Sequence, residues 1–371
     1  MRFHHLHFYV KDVAFWRRWF ADKLAFRSSL EAPSFEVLQQ GNIRIRLSGC
    51  DELASQSSQH SEVADYLKRH PSGVADVALE SDRFDSAVER AISQGAALIK
   101  PVCRNHKGQR QCQFQGWADL RHTLVEAQSD SFQERKAESI DSADKKTFLQ
   151  EIDHVVINVP QGELAAAADW YRRAFDLSYG QQFEIGTAHS GLRSQVLVHE
   201  RDSLQMPLNE PTTSNSQIEE FLRHNNGAGV QHVALRSADA ALAIAHFRSQ
   251  GLDLIDVPDT YYERLPLRLG CPVETIKAAS QQRLLVDWAS SGQPGMLLQT
   301  FTKPLFSKPT FFFEIIERSC YLANGKPEVA KGFGEGNFQA LFEAIERSQL
   351  DRERLEPQSL AQESSCEPQN S

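Results

Sequence analysis

One stretch of this sequence occurs twice. GVADVALESDRFDSAVERAISQGAALI, beginning at Gly73, and GVQHVALRSADAALAIAHFRSQGLDLI, beginning at Gly229, share a strand-like opening, an amphipathic helical middle and a glycine stop, 156 residues apart. The openings of the two halves repeat as well. FHHLHFYV at Phe3 and IDHVVINV at Ile152 are β-rich runs, each followed by a helical pattern carrying Trp16 and Trp19 or Trp170 and Tyr171. A repeated unit of this size constrains the fold strongly, because one copy alone cannot close its own sheet and must pair with another. Four units starting near residues 3, 73, 152 and 229 are expected. The predicted class is α+β: two domains, each of paired βαβββ units forming an open curved β-barrel, with helices outside and a cavity inside.

The polar run SDSFQERKAESIDSADKKT, from Ser129 to Thr147, has no apolar period and marks the boundary, which places the domains at 1–148 and 149–350. After Leu350 the chain is polar and short of aromatics, so 351–371 reads as a disordered tail. With 371 residues and 41% hydrophobic content, the chain can bury two cores of ordinary size. Its net charge of −9 offers no footprint for nucleic acid or anionic lipid. No apolar run approaches the roughly 18 residues of a membrane span, and MRFHHLHFYV lacks the layout of a signal peptide. A cytoplasmic protein with no membrane and no nucleic-acid partner is the expectation. Cys50, Cys103, Cys112, Cys271, Cys320 and Cys366 contain no C-x-x-C pair and are expected to be reduced thiols.

Overlaying the halves shows where their chemistry differs. His154 matches His5, whereas His232 matches Asp76, and Glu314 in PTFFFEIIER is aligned with Glu126 in RHTLVEA. Only the second half then offers two imidazoles and one carboxylate, 78 and 82 residues apart. That is the composition of a facial triad, which leaves three open positions on a non-haem iron(II). In DHVVINV and QHVALRS each histidine shares a face with every second residue, so one face can line a cavity while Val and Leu fill the other. Glu314 stands in an apolar run, where a carboxylate is costly unless a cation or metal pairs with it. A single strand histidine is more often a hydrogen-bonded core residue than a ligand; three donors at corresponding positions of a repeat reverse that expectation. The first-half set of His5, Asp76 and Glu126 has lost an imidazole and reads as a relic site. KGFGEGNF lacks the Lys-Ser/Thr of a phosphate loop and reads as a glycine hinge before a C-terminal helix that lids the cavity.

At these residues the sequence resembles the 4-hydroxyphenylpyruvate dioxygenase family of the vicinal-oxygen-chelate superfamily, from about residue 3 to 349. DHVVINV, SGLRSQVL, LNEPTTSNSQIEEFL, NNGAGVQHVAL, LLQTFTKP, FFFEIIER and KGFGEGNFQALFEAIE look like the family's blocks, in the family's order. The resemblance implies glyoxalase-like barrels and His154, His232 and Glu314 as ligands of the cofactor, Fe(2+). It implies Ser194, Asn209, Gln217, Gln231 and Gln299 as polar groups for the substrate and Phe301 as its aromatic neighbour. Phe333, Gly334, Asn337 and Phe338 would form the gate or lid. The implied reaction turns 4-hydroxyphenylpyruvate and O2 into homogentisate and CO2, a step associated with tyrosine breakdown. An iron-borne oxygen species would be the oxidant, and no separate protein acid or base is assigned. The substrate's 2-oxo acid would supply two electrons, in keeping with the absence of a dinucleotide fingerprint. Relatives form dimers and tetramers, which implies a homo-oligomer. Strand alternation by itself places Gln231, next to His232, on the face away from the cavity, so its contribution is expected to be indirect. The segment between Tyr262 and Met296 follows the family only loosely, and substrate access can differ there.

Three alternatives remain open at this point. 4-Hydroxymandelate synthase uses the same substrate and metal but hydroxylates the side chain; Phe301 argues against it, because a smaller or differently shaped residue tends to stand there in that relative. An extradiol ring-cleaving dioxygenase would consume a catechol and release no carbon dioxide. A metal-free ligand-binding module on the same scaffold would never retain iron.

Overall fold

The computed structural model describes residues 1–32, 35–50, 58–128, 147–187, 190–199, 204–269, 273–288, 295–323, 325–334 and 336–337. The anticipated linker over 129–146, the lid helix with Phe338, and the tail over 351–371 lie outside the described residues.

The first sheet contains β1 (Arg2–Tyr9), β2 (Arg27–Ala32), β3 (Phe35–Gln40), β4 (Ile43–Ser48), β5 (Gly73–Ser81), β6 (Leu98–Arg104), β7 (Arg110–Gln115) and β8 (Arg121–Glu126). Across the sheet they run β2-β3-β4-β1-β5-β8-β7-β6. Each unit begins and ends on a parallel pair, β1 with β4 and β5 with β8, and the units join through antiparallel β1 and β5. The second sheet contains β9 (Glu151–Asn158), β10 (Ser178–Gly186), β11 (Gly191–Val198), β12 (Gln205–Pro211), β13 (Gly229–Arg236), β14 (Leu285–Trp288), β15 (Met296–Phe301) and β16 (Phe312–Arg318). Its order, β10-β11-β12-β9-β13-β16-β15-β14, repeats the first strand for strand. The repeat read in the sequence is therefore two sheets of paired βαβββ units. A small hairpin of β17 (Cys320–Ala323) and β18 (Lys326–Val329) follows.

Parallel neighbours need a crossover, and helices provide it: α1 (Val13–Leu24) after β1, α3 (Phe84–Ser93) after β5, α4 (Leu164–Ala174) after β9 and α6 (Ala240–Ser249) after β13. Between the units of each half lies α2 (Ser58–Arg69) or α5 (Gln217–Asn225), and α7 (Asp259–Leu269) and α8 (Val273–Gln281) precede β14. None of the helices among the described residues is long and apolar enough to cross a membrane.

Local chemistry sets α1. Asp12 caps it by accepting from the Phe15 N–H at 2.7 Å, and Ala25 stops it in the left-handed region at φ 57°. Its buried stripe of Trp16, Phe20 and Leu24 at four-residue spacing also reaches the second half: the Trp16 ring lies 4.7 Å from Phe306 and the Phe20 ring 6.0 Å from Phe313. Phe8 meets Phe311 edge-on at 5.1 Å, so one apolar core runs between the sheets.

The register revises one equivalence drawn from the sequence. Leu79 faces Leu124 across β5 and β8 just as Leu235 faces Ile315 across β13 and β16. Counting from those rungs, Thr123 occupies the position of Glu314, and Glu126 lies three residues further on, on the opposite face. Glu126 pairs there with Arg110 at 2.7 Å. Asp76 is bonded inward by Thr123, whose N–H donates at 2.8 Å and whose hydroxyl also donates, and by the Gln113 amide at 2.7 Å. His5, Asp76 and Glu126 therefore do not converge.

Candidate metal centre

Three central strands bring the second-half donors together. His154 on β9, His232 on β13 and Glu314 on β16 offer ligand atoms that all lie within 4.8 Å of one another. Glu314 Oε2 is 3.2 Å from His154 Nε2 and 3.7 Å from His232 Nε2. Ligands at right angles around an ion about 2.1 Å away would be separated by about 3 Å, close to the 3.2 Å and 3.7 Å of the two edges that meet at Glu314.

The groups behind the ligands fix which nitrogen faces the centre. His154 Nδ1 lies 2.9 Å from Asp153 Oδ1, and His232 Nδ1 lies 3.3 Å from Gln231 Oε1. Both oxygens accept, so each Nδ1 carries a proton, which leaves Nε2 as the atom that would ligate an ion. Asp153 is in turn held by Arg318, whose Nε and Nη2 donate at 2.7 Å and 2.6 Å. Burial opposes the charged form of Asp153, but Arg318 outweighs it and holds the carboxyl far below its ordinary range. Burial also opposes a charged His154, yet Glu314 and Asp153 lift its pKa to about 9, while burial and the neighbouring imidazole push His232 well down. The rings are clamped by aromatics: His232 stacks on Phe312 at 4.9 Å, and His154 meets Phe333 edge-on at 5.2 Å.

Asp153 and Gln231 owe their positions to two β-bulges. The β9–β13 pairing steps from Val230↔Ile157 to His232↔Val156, skipping Gln231, and from Ala234↔His154 to Leu235↔Ile152, skipping Asp153. An extra residue on one strand breaks the alternation of faces. Gln231 therefore lines the cavity beside His232 instead of facing away from it, which corrects the expectation from strand periodicity.

The cluster opens into a cavity of about 720 Å³, counting its mouth. Ser194 and Asn209, opposite each other on β11 and β12, both line it, as does Gln217 at the start of α5. Gln217 is buried, and its Oε1 has no partner among the described residues, leaving an acceptor unmet. Phe301, Phe333, Gly334 and Asn337 line the cavity as well. Gln299 is a hub: its amide nitrogen donates to Glu314 Oε1 at 2.9 Å and to the Phe333 carbonyl at 3.0 Å, and its oxygen accepts from Asn337 at 3.0 Å. Sequence reasoning missed Asp153, Arg318, Phe183 and Phe312. A polar residue directly before each histidine, Asp-His and Gln-His, was the one available signal for the supporting groups.

Gly334 adopts φ 75°, and a Cβ there would overlap Gln299 Oε1 outright. Gly334→Ala is expected to lower stability by about 1 kcal/mol through the left-handed backbone alone. By displacing Gln299 from Glu314 it should also reduce kcat/KM roughly tenfold or more, as loss of positioning does. Thermal melts and steady-state kinetics check both effects.

Paired βαβββ units around a two-histidine, one-carboxylate cluster define the class: a vicinal-oxygen-chelate protein with a metal-binding face. Residues 151–265 match the Glyoxalase/Bleomycin resistance protein/Dioxygenase superfamily. The chain is 31% identical to the 4-hydroxyphenylpyruvate dioxygenase of Danio rerio over 96% of this chain and 92% of that one, and 32% identical to that of Coccidioides posadasii over 95% and 94%. It belongs to the 4-hydroxyphenylpyruvate dioxygenase family. An uncharacterised protein of Synechocystis is 32% identical over 93% of this chain and 97% of its own. A solved variant of 4-hydroxymandelate synthase from Streptomyces coelicolor shares the fold, with a TM-score of 0.76 over 94% of this chain and 98% of that one at 24% identity.

Proposed function

We propose that this chain is an iron(II)-dependent dioxygenase that converts 4-hydroxyphenylpyruvate and O2 into homogentisate and CO2. The observation that carries this reading is the charge pattern of the cavity. Among the described residues, apart from Glu314 and the two imidazoles, its lining is apolar or uncharged, with no arginine or lysine. A 2-oxo acid placed there needs a cation for its carboxylate, and the triad is where a cation fits. Dioxygenase relatives matched over nearly the whole chain support the same reading.

Iron(II) held by His154, His232 and Glu314 would supply the charge that chelates the 2-oxo acid and the redox chemistry that O2 requires. The remaining steps belong to the protein. Phe183, Phe301, Phe312 and Phe333 exclude water and offer faces and edges to an aromatic ring. The unmet Gln217 Oε1 accepts the phenol hydrogen, and Ser194 and Asn209 add neutral hydrogen-bonding groups without bringing charge into the pocket. Asp153 and Gln231 keep both imidazoles in the ligating tautomer. Phe301, whose ring lies 6.5 Å from that of His232, restricts which substrate carbon is oxidised and favours the ring over the side chain.

The test is oxygen uptake by the iron-loaded chain with 4-hydroxyphenylpyruvate, with gas analysis and chromatography of the product. Equimolar O2 consumption and CO2 release, with homogentisate formed, is the expected result. Hydroxymandelate as the product would move the chain to the synthase reaction, and oxygen uptake with no CO2 would reject a 2-oxo-acid oxygenase.

A further inference from the structure

The first domain has its own cavity at the corresponding place, about 290 Å³ counting its mouth, and its equipment is opposite in kind. His4 and His5 on β1, Arg44 and Arg46 on β4, and the Asn105–Gln109 turn between β6 and β7 surround it. His5 stands where His154 stands in the second domain, and His4, skipped in the pairing of β1 with β5, is the counterpart of Asp153.

Hydrogen-bond direction follows along this row. Arg44 Nη1 lies 3.2 Å from His4 Nε2, and a guanidinium can only donate, so His4 Nε2 accepts. The His4 proton is then on Nδ1, which lies 2.6 Å from His5 Nδ1 and donates to it. His5 Nδ1 being an acceptor, its proton sits on Nε2. Thus the second domain turns a lone pair toward its centre, whereas the first turns an N–H. That N–H belongs to a side chain only 1% exposed and has no hydrogen-bond partner among the described residues. A buried donor left unmet costs about 1–3 kcal/mol, so the position calls for an acceptor. Arg44, Arg46 and Lys107 line the cavity, and none of the described residues lining it is acidic. Asp76, the one carboxylate at the equivalent of a ligand position, is turned away into its bonds with Thr123 and Gln113.

We propose that this cavity is an anion-binding site for a small carboxylate or phosphate group, with His5 Nε2–H as the buried donor and Arg44 and Arg46 as the charges. Lys107, exposed on the turn at the mouth, completes the field. The first domain is on this reading a second binding domain and not an emptied metal site, since the tautomer that suits an anion cannot ligate a metal through the same nitrogen.

Isothermal titration of the full, iron-loaded chain with inorganic phosphate and, separately, with acetate, at fixed ionic strength set by chloride, tests the site. Saturable binding of phosphate identifies a phosphoryl ligand and of acetate a carboxylate. In either case Arg46→Gln should weaken binding about tenfold or more, the loss of one charge-assisted hydrogen bond. His5→Phe should do the same, and if that variant does not fold, Lys107→Gln at the mouth replaces it. Anion binding at the metal centre would be indifferent to all three changes. Absence of saturable binding for both anions, or affinities in Arg46→Gln within twofold of the parent chain, would overturn the proposal.

Discussion

Glu314→Ala is expected to leave a folded chain that neither retains a divalent metal ion nor turns over. Among the described residues the carboxylate is the one anionic group lining the cavity, and it sits 3.2 Å and 3.7 Å from the two histidine Nε2 atoms. Without it a divalent ion would face two neutral imidazoles in an apolar site, with nothing to offset the cost of burying its charge. Even groups behind the ligands typically change metal affinity or activity by about 10–100-fold, so removal of a ligand should exceed about 100-fold in turnover. His154→Ala should behave alike. Metal content after desalting and oxygen uptake with 4-hydroxyphenylpyruvate measure the two effects, and a circular dichroism spectrum checks the fold. Retained turnover in either variant would contradict the assignment of these side chains as ligands.

Arg318→Met should be the most destabilising single change near the site. Arg318 and Asp153 form a two-point pair with both side chains about 4% exposed, and Arg318 Nη1 also donates to the carbonyls of Ala330 at 3.1 Å and Gly332 at 2.8 Å. Removing the guanidinium leaves a buried carboxylate without its cation, which costs about 3–5 kcal/mol. It also releases the segment that carries Phe333 and Gly334 to the cavity wall, so metal affinity should fall about 10–100-fold. Denaturant unfolding and metal titration are the measurements. Adding Asp153→Asn to Arg318→Met should recover part of the lost stability, because the amide still accepts from His154 Nδ1 but carries no charge; two additive losses would show that the pair is not coupled.

The candidate metal donors were legible because they recur in a duplicated unit. His154 and His232 repeat at matching positions of a duplicated unit, and Glu314 stands out as a charge in an apolar run. The supporting groups were not legible in the same way. Gln231 was expected to face away from the cavity, and a bulge turned it in. Asp153 reads as an ordinary strand-edge acid until its partner is known, and that partner is 165 residues away.

The amino-acid sequence by itself determined the repeat, the paired βαβββ units and the chemical identity of the donors, since periodicity and composition are local properties that every copy displays. Only the tertiary structure decided the register. It put Thr123, not Glu126, at the equivalent of Glu314, and it oriented His5 through Arg44 and His4 so that the first domain presents an N–H where the second presents a lone pair. The physical reason is that strand register and hydrogen-bond direction are set by partners distant in the chain, and one extra residue in a strand is enough to exchange its faces.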